Sequence, residues 1–151
     1  MKINKASKIN RLFLFAVVVF ILSYLLNFLW ESIHAKLFYT GFLLENVNYW
    51  NLMIYASTID SLLVILMYFT TALFFKDIYW IKKTSKYKIL LFITIGFLIA
   101  IYIEYLNVYI LHRWEYNELM PTIFGIGLSP LIQLSITGLV SILLSKRIIF
   151  R

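Results

Sequence analysis

Four stretches of the chain are apolar almost without interruption, at about 12–30, 52–75, 89–111 and 123–144. At roughly 1.5 Å per helical residue, each covers a hydrocarbon core of about 30 Å. The polar positions inside them fall on helical stripes. Ser23, Asn27, Glu31 and His34 share one face if the first helix continues past Trp30. In the second stretch Ser57, Asp60, Ser61, Val64, Tyr68 and Thr71 line up, and in the third Gly96, Ala100, Glu104 and Asn107. Ser129, Gln133, Thr137 and Ser141 recur every four residues along the fourth. A stripe of this kind has to avoid lipid, so the pattern predicts an all-α polytopic membrane protein, a single domain over 1–151 built as a four-transmembrane-helix bundle with a polar interior. Residues 37–51 have no clear period, and read either as a short interfacial helix or as an extension of the second span.

Charge gives the bundle a direction. Lys2, Lys5, Lys8 and Arg11 precede the first span, Lys76, Lys82, Lys83, Lys86 and Lys88 follow the second against Asp77 alone, and Lys146, Arg147 and Arg151 end the chain. The other two loops are acidic on balance, with Lys36 against Glu31 and Glu45, and Arg113 against Glu115 and Glu118. The positive-inside rule therefore predicts cytoplasmic N- and C-termini in a cell (plasma) membrane. Trp30, Trp50, Trp80 and Trp114 fall at or just beyond span ends and are expected to be interfacial anchors.

Composition agrees: 62% of residues are hydrophobic, 14% are charged, and the mean hydropathy is +0.86. The net charge of +7 does not point to nucleic acid, because the basic residues flank apolar runs instead of forming a groove-binding surface. Their expected partner is the anionic leaflet of the membrane. With no cysteine, disulfides, thiolate metal sites and thiol nucleophiles are excluded. The first apolar run has no small-residue cleavage pattern behind it and is expected to stay as an anchor.

Candidate chemistry centres on two acids inside the spans, Asp60 and Glu104. Ionisable groups at such depth are costly and mark functional sites. On the predicted orientation Asp60 sits roughly 12 Å below the outer boundary and Glu104 about 10 Å below it. Asn27, Glu31, His34, Asn107, Arg113 and Gln133 gather at or above that level, whereas the inner halves hold only hydroxyls. This asymmetry predicts a cavity opening outward instead of a through-channel. An acid without a compensating cation there would be neutral and able to donate a proton. Pro130, after Gly125 and Gly127, is expected to loosen the helix and free carbonyls near Ile126.

Several chemistries compete for these residues. Asp60 and Glu104 as acid–base groups, with the others as ligand contacts, suit an amphipathic or isoprenoid-like lipid whose anionic part meets Arg113. Alternatively the protein is a non-catalytic membrane subunit or assembly factor, or a homo-oligomer, whose acids pair with partner helices. A third reading assembles Glu31, His34, Asp60, Glu104 and His112 as ligands of iron, manganese or zinc, on the strength of a single Glu-x-x-His pair. The pattern implies no particular cofactor, and it lacks a phosphate loop, a nucleophile elbow and a His-Glu-x-x-His helix.

The strings Asn-Phe-Leu-Trp-Glu-Ser-Ile-His at 27–34, Arg-Trp-Glu-Tyr-Asn-Glu-Leu-Met-Pro-Thr-Ile from 113 and Gly-Ile-Gly-Leu-Ser-Pro-Leu-Ile-Gln up to 133 resemble those of small uncharacterised prokaryotic four-span integral membrane proteins. The resemblance covers about a third of the chain. It implies an integral membrane protein in which these segments matter, and it supplies no catalytic residue.

Overall fold

A computed structural model describes residues 5–40 and 48–150, with side chains from residue 9 onward. Lys2, Glu45, Asn46, Arg151 and the side chains of Lys5 and Lys8 lie outside the described residues. Four helices make up the body: α1 (Lys5–Phe38), α2 (Tyr49–Phe74), α3 (Lys86–Tyr105) and α4 (Leu128–Ile149). All four are long and apolar enough to cross a membrane, which fits a membrane-embedded protein. They run alternately up and down between a terminal end, which carries the start of α1, the end of α4 and the 75–85 turn, and a distal end, which carries residues 39–40, Asn48 and 106–127. α1 packs on α2 and α4, and α3 packs on α4, while α2 and α3 touch only sparsely.

α1 does not stop at Trp30 but continues to Phe38, since Glu31 through Phe38 contains no glycine or proline to break it. Of the undecided segment, Tyr39–Thr40 is strand β1, Asn48 caps α2 by accepting from the Trp50 N–H at 2.9 Å, and Tyr49 onward is helix. Residues 41–47 lie outside the described residues. α3 ends in a π-helical turn, Leu106–Ile110, and the chain reverses at His112 with φ +46°. That reversal brings Glu115–Tyr116 (β2) antiparallel to β1, pairing Tyr39 with Tyr116 and Thr40 with Glu115. Asn117 fastens the same corner by donating its backbone N–H to Phe38 and its side-chain amide to Leu37, at 2.9 and 2.8 Å.

The fourth helix begins at Leu128 rather than at 123. Thr122–Ile123 (β3) and Ile126–Gly127 (β4) form a hairpin. Its two turn residues, Phe124 and Gly125, have φ of +51° and +80°, the double positive φ that a two-residue hairpin with native twist requires. Pro130 is therefore the third residue of α4 and not a mid-helix kink. A first-turn N–H has no partner one turn back, so proline breaks no ladder bond there. The Gly125 carbonyl is not free for a ligand, because the Tyr109 hydroxyl donates to it at 2.6 Å.

At the terminal end the interior is dry and aromatic. Phe15, Tyr68, Trp80 and Phe92 are buried together with Val64, Met67, Leu134 and Ile142. Trp80 is a correction to the expected ring of interfacial anchors: it is fully buried, stacked on Tyr68 at 5.4 Å, and its indole N–H donates to the Tyr68 carbonyl at 3.2 Å. The 75–85 turn folds back under the bundle because Tyr68 donates to Ile78 and Asp77 pairs with Lys88 at 2.8 Å. α3 and α4 approach closely at Gly96, where a Cβ would lie 2.6 Å from both Met67 Cε and Ser135 Oγ. Ser135 uses that proximity to donate to the Ile93 carbonyl at 2.9 Å. Between membrane helices, where lipid is as apolar as leucine, close backbone packing of this kind supplies much of the cohesion.

Candidate functional site

Toward the distal end the interior becomes polar. The stripe on α1 delivers Asn27 and Glu31, α2 delivers Asp60, and α4 delivers Gln133 in its second turn. The Gln133 side-chain amide donates to Glu31 Oε1 at 2.6 Å and to Asp60 Oδ2 at 3.1 Å, with Asn27 Oδ1 at 3.4 Å. One amide nitrogen carries two hydrogens, so the two short contacts hold the carboxyl groups of α1 and α2 around a single nitrogen. Asn27 is braced on its other sides, donating to Ser23 and accepting from Thr137 Oγ1 at 2.8 Å. Below this level Ser61, Thr71 and Ser141 return their hydroxyls to the carbonyl one turn back, as Ser57 does above it, so they carry no free polarity into the core.

The third acid, Glu104 on α3, is buried and is held from above. The hydroxyls of Tyr39 and Tyr116 donate to its two oxygens at 3.2 and 2.6 Å. The β1–β2 pairing makes this possible, because it sets the two tyrosines side by side with ring centroids 5.9 Å apart. Trp114 stacks on Tyr39 at 5.4 Å, so three aromatic rings form a cap over the carboxyl group. Burial, followed by the negative charges of Glu104 and Glu31, holds the Tyr39 phenol well above its ordinary pKa. Burial and the bond to Glu104 raise that of Tyr116 as well. Both phenols therefore remain donors through the neutral range.

Glu31, Asp60 and Glu104 share the walls of two connected spaces. A recess of about 50 Å³ lies among them with Ala100, Pro130 and Gln133. A cavity of about 570 Å³ extends from the same three acids past Leu52, Met53, Ala56 and Ile103 to Asn107, Arg113 and Trp114. Two more of its lining residues, Tyr55 and Ile59 on α2, are exposed on the outside of the bundle. The cavity therefore opens sideways through the sparsely packed seam between α2 and α3, under the aromatic cap. This differs from the vertical mouth expected from the sequence, because the cap covers the position where that mouth was placed.

The expected site residues divide accordingly. Asn27, Glu31, Asp60, Glu104 and Gln133 are brought together, and Asn107 and Arg113 form the rim, with the guanidinium donating to Asn107 Oδ1 at 3.1 Å. His34 is not with them. It packs on Phe38 and Tyr39, in a groove between α1 and α4 shared with Trp30, Ser129 and Thr137. His112 is exposed at the chain reversal. Glu31 and His34 thus line different spaces, and among the described residues no group of three or more His, Asp or Glu side chains is arranged to hold a metal ion. Arg113 does not pair with Glu115 or Glu118; the ion pair found among the described residues is Lys88–Asp77 at the opposite end. Sequence reasoning missed Tyr39 and Tyr116 as partners of Glu104, since residues 65 and 12 positions away in aperiodic segments leave no spacing signal.

No family model, curated protein or solved structure matches this chain. Function is therefore argued from the cavity itself.

Proposed function

We propose that the protein is a plasma-membrane protein with both termini cytoplasmic, and that the cavity between α2 and α3 binds an amphipathic or isoprenoid-like lipid from the outer leaflet and performs acid–base chemistry on it. The observation that carries this reading is a cavity of about 570 Å³ lined at once by apolar side chains and three carboxyl groups, open through exposed Tyr55 and Ile59. An apolar enclosure with a few convergent polar groups is the usual form of a small-molecule site. A sideways opening at membrane depth admits a molecule already dissolved in the bilayer. The excess of Lys and Arg at the terminal end supports the orientation.

In this reading Asp60 and Glu104 divide the chemistry. Asp60 reaches the cavity with one oxygen held by Gln133 and the other open, so it exchanges a proton with the bound group. Glu104, held by two phenols, is the second acid and aligns the site. Arg113 at the rim meets an anionic part of the lipid. The test is lipid analysis of protein purified in mild detergent, comparing wild type with Ala56→Trp, which fills the cavity wall. One lipid class enriched in wild type and depleted in the variant is the expected result. Lipid profiles identical to the bulk membrane in both proteins, or a co-purifying membrane protein in place of lipid, would remove this reading.

A further inference from the structure

The polar wall of the cavity is rich in acceptors and poor in donors. Glu31 and Asp60 each spend one oxygen on the same Gln133 nitrogen, and among the described residues neither Glu31 Oε2 nor Asp60 Oδ1 receives a donor. Among the described residues no cationic side chain reaches either acid, for Arg113 stays at the rim on Asn107. Glu104 is satisfied only by neutral donors. Two carboxyl groups crowded around one amide, partly buried and without a counter-ion among the described residues, form an expensive arrangement unless a positive group with N–H donors completes it. The exposed guanidinium at the rim adds a site for negative charge on the outer side of the same cavity.

From this arrangement we infer that the occupant is a lipid with a zwitterionic head whose primary ammonium inserts between Glu31 and Asp60 while its phosphate rests at Arg113. This rests on the cavity being a lipid site, as proposed above, and adds the chemistry of the head. A primary ammonium supplies three N–H donors, enough for both open oxygens, and its charge offsets the acids. A quaternary ammonium has the charge without the donors. A glycerol head has donors without the charge. The lining Leu52, Met53, Ala56, Ile59 and Ile103 would meet the upper parts of the acyl chains, whose ends stay in the bilayer through the seam.

The test is competition by native mass spectrometry of the full chain, using phosphatidylethanolamine, phosphatidylcholine and phosphatidylglycerol with identical chains, together with the mono- and dimethylated ethanolamine lipids. Phosphatidylethanolamine should be bound about tenfold more tightly than the other two phospholipids, as expected for losing charge-assisted hydrogen bonds. Affinity should fall with each added methyl. Asp60→Asn and Glu31→Gln should reduce the preference to within about twofold, and the methylation series on wild type tests the same donors if either variant fails to fold. Saturable binding led by phosphatidylcholine or phosphatidylglycerol would overturn the ammonium head while leaving the lipid site standing. So would a preference for phosphatidylethanolamine that persists in both variants. Absence of saturable binding by any lipid would remove the lipid site, and this inference with it.

Discussion

Replacing Glu104 by leucine removes the acceptor shared by Tyr39 and Tyr116, whose hydroxyls reach it at 3.2 and 2.6 Å. A buried donor deprived of its partner costs about 1–3 kcal/mol, and both rings are half-buried, so about 1–1.5 kcal/mol each applies. Relief from burying a carboxyl group offsets part of that sum, leaving a net loss of about 2 kcal/mol. Glu104→Gln should lose less than about 1 kcal/mol, because its oxygen accepts from one phenol and its amide donates to the other phenol oxygen. The triple variant Glu104→Leu, Tyr39→Phe, Tyr116→Phe removes donors and acceptor together and should recover most of the loss, since replacing both partners is close to neutral. Equilibrium unfolding in mixed micelles, followed by far-ultraviolet circular dichroism, measures all three. A triple variant no more stable than Glu104→Leu, or a glutamine variant as damaged as leucine, would show that the cap is not held by these bonds.

Alkaline pH tests the same cap from the other side. A phenol whose folded pKa is raised gives stability that is complete below its unfolded pKa of about 10 and is lost as pH climbs toward the folded value. Tyr39 and Tyr116 are both raised, so stability should fall above pH ~10 by up to about 1.4 kcal/mol per pH unit for each. Tyr39→Phe should flatten that slope, and an unchanged slope would contradict the assignment. Gly96→Val places side-chain atoms where Met67 and Ser135 already sit at 2.6 Å and should cost about 1–3 kcal/mol by overpacking, read as a lower unfolding midpoint; an unchanged midpoint would mean that α3 and α4 are not in close contact. For orientation, a cysteine replacing Asn117 should be labelled from outside intact cells and one replacing Ser85 should not, and labelling of the second would invert the topology. Asn46, an alternative outer position, lies outside the described residues.

The four spans and the inward polar stripes were legible because a helix in lipid must turn every polar group to one side. Ser23, Asn27, Ser57, Ser61, Gln133, Thr137 and Ser141 are all buried as that rule requires. The acids could be located for the same reason. Hidden from the sequence was whatever depends on chain reversals. The π-helical turn at 106–110 and the left-handed His112 carry Trp114 and Tyr116 back over Glu104, and nothing in the hydrophobic period announces a reversal. His34 falls between Ser23 and Asn27 on the helical wheel, about 60° from Glu31, so it is buried on the expected face but turns into the groove between α1 and α4 and not into the space lined by Glu31. Trp80 was read as an anchor from its position at a span end, but the turn after α2 folds under the bundle and encloses it.

The aromatic plug at the terminal end determines how the cavity can work. Trp80, Phe15, Phe92 and Met67 are buried and fill the interior on the terminal side of the acids, so among the described residues the chamber does not continue toward that end and its exposed lining lies at the α2–α3 seam. If the cavity acts on a lipid as proposed, a reacted molecule leaves by the seam through which the next enters, so turnover would be governed by exchange with the surrounding leaflet, and accumulated product would compete directly with fresh substrate.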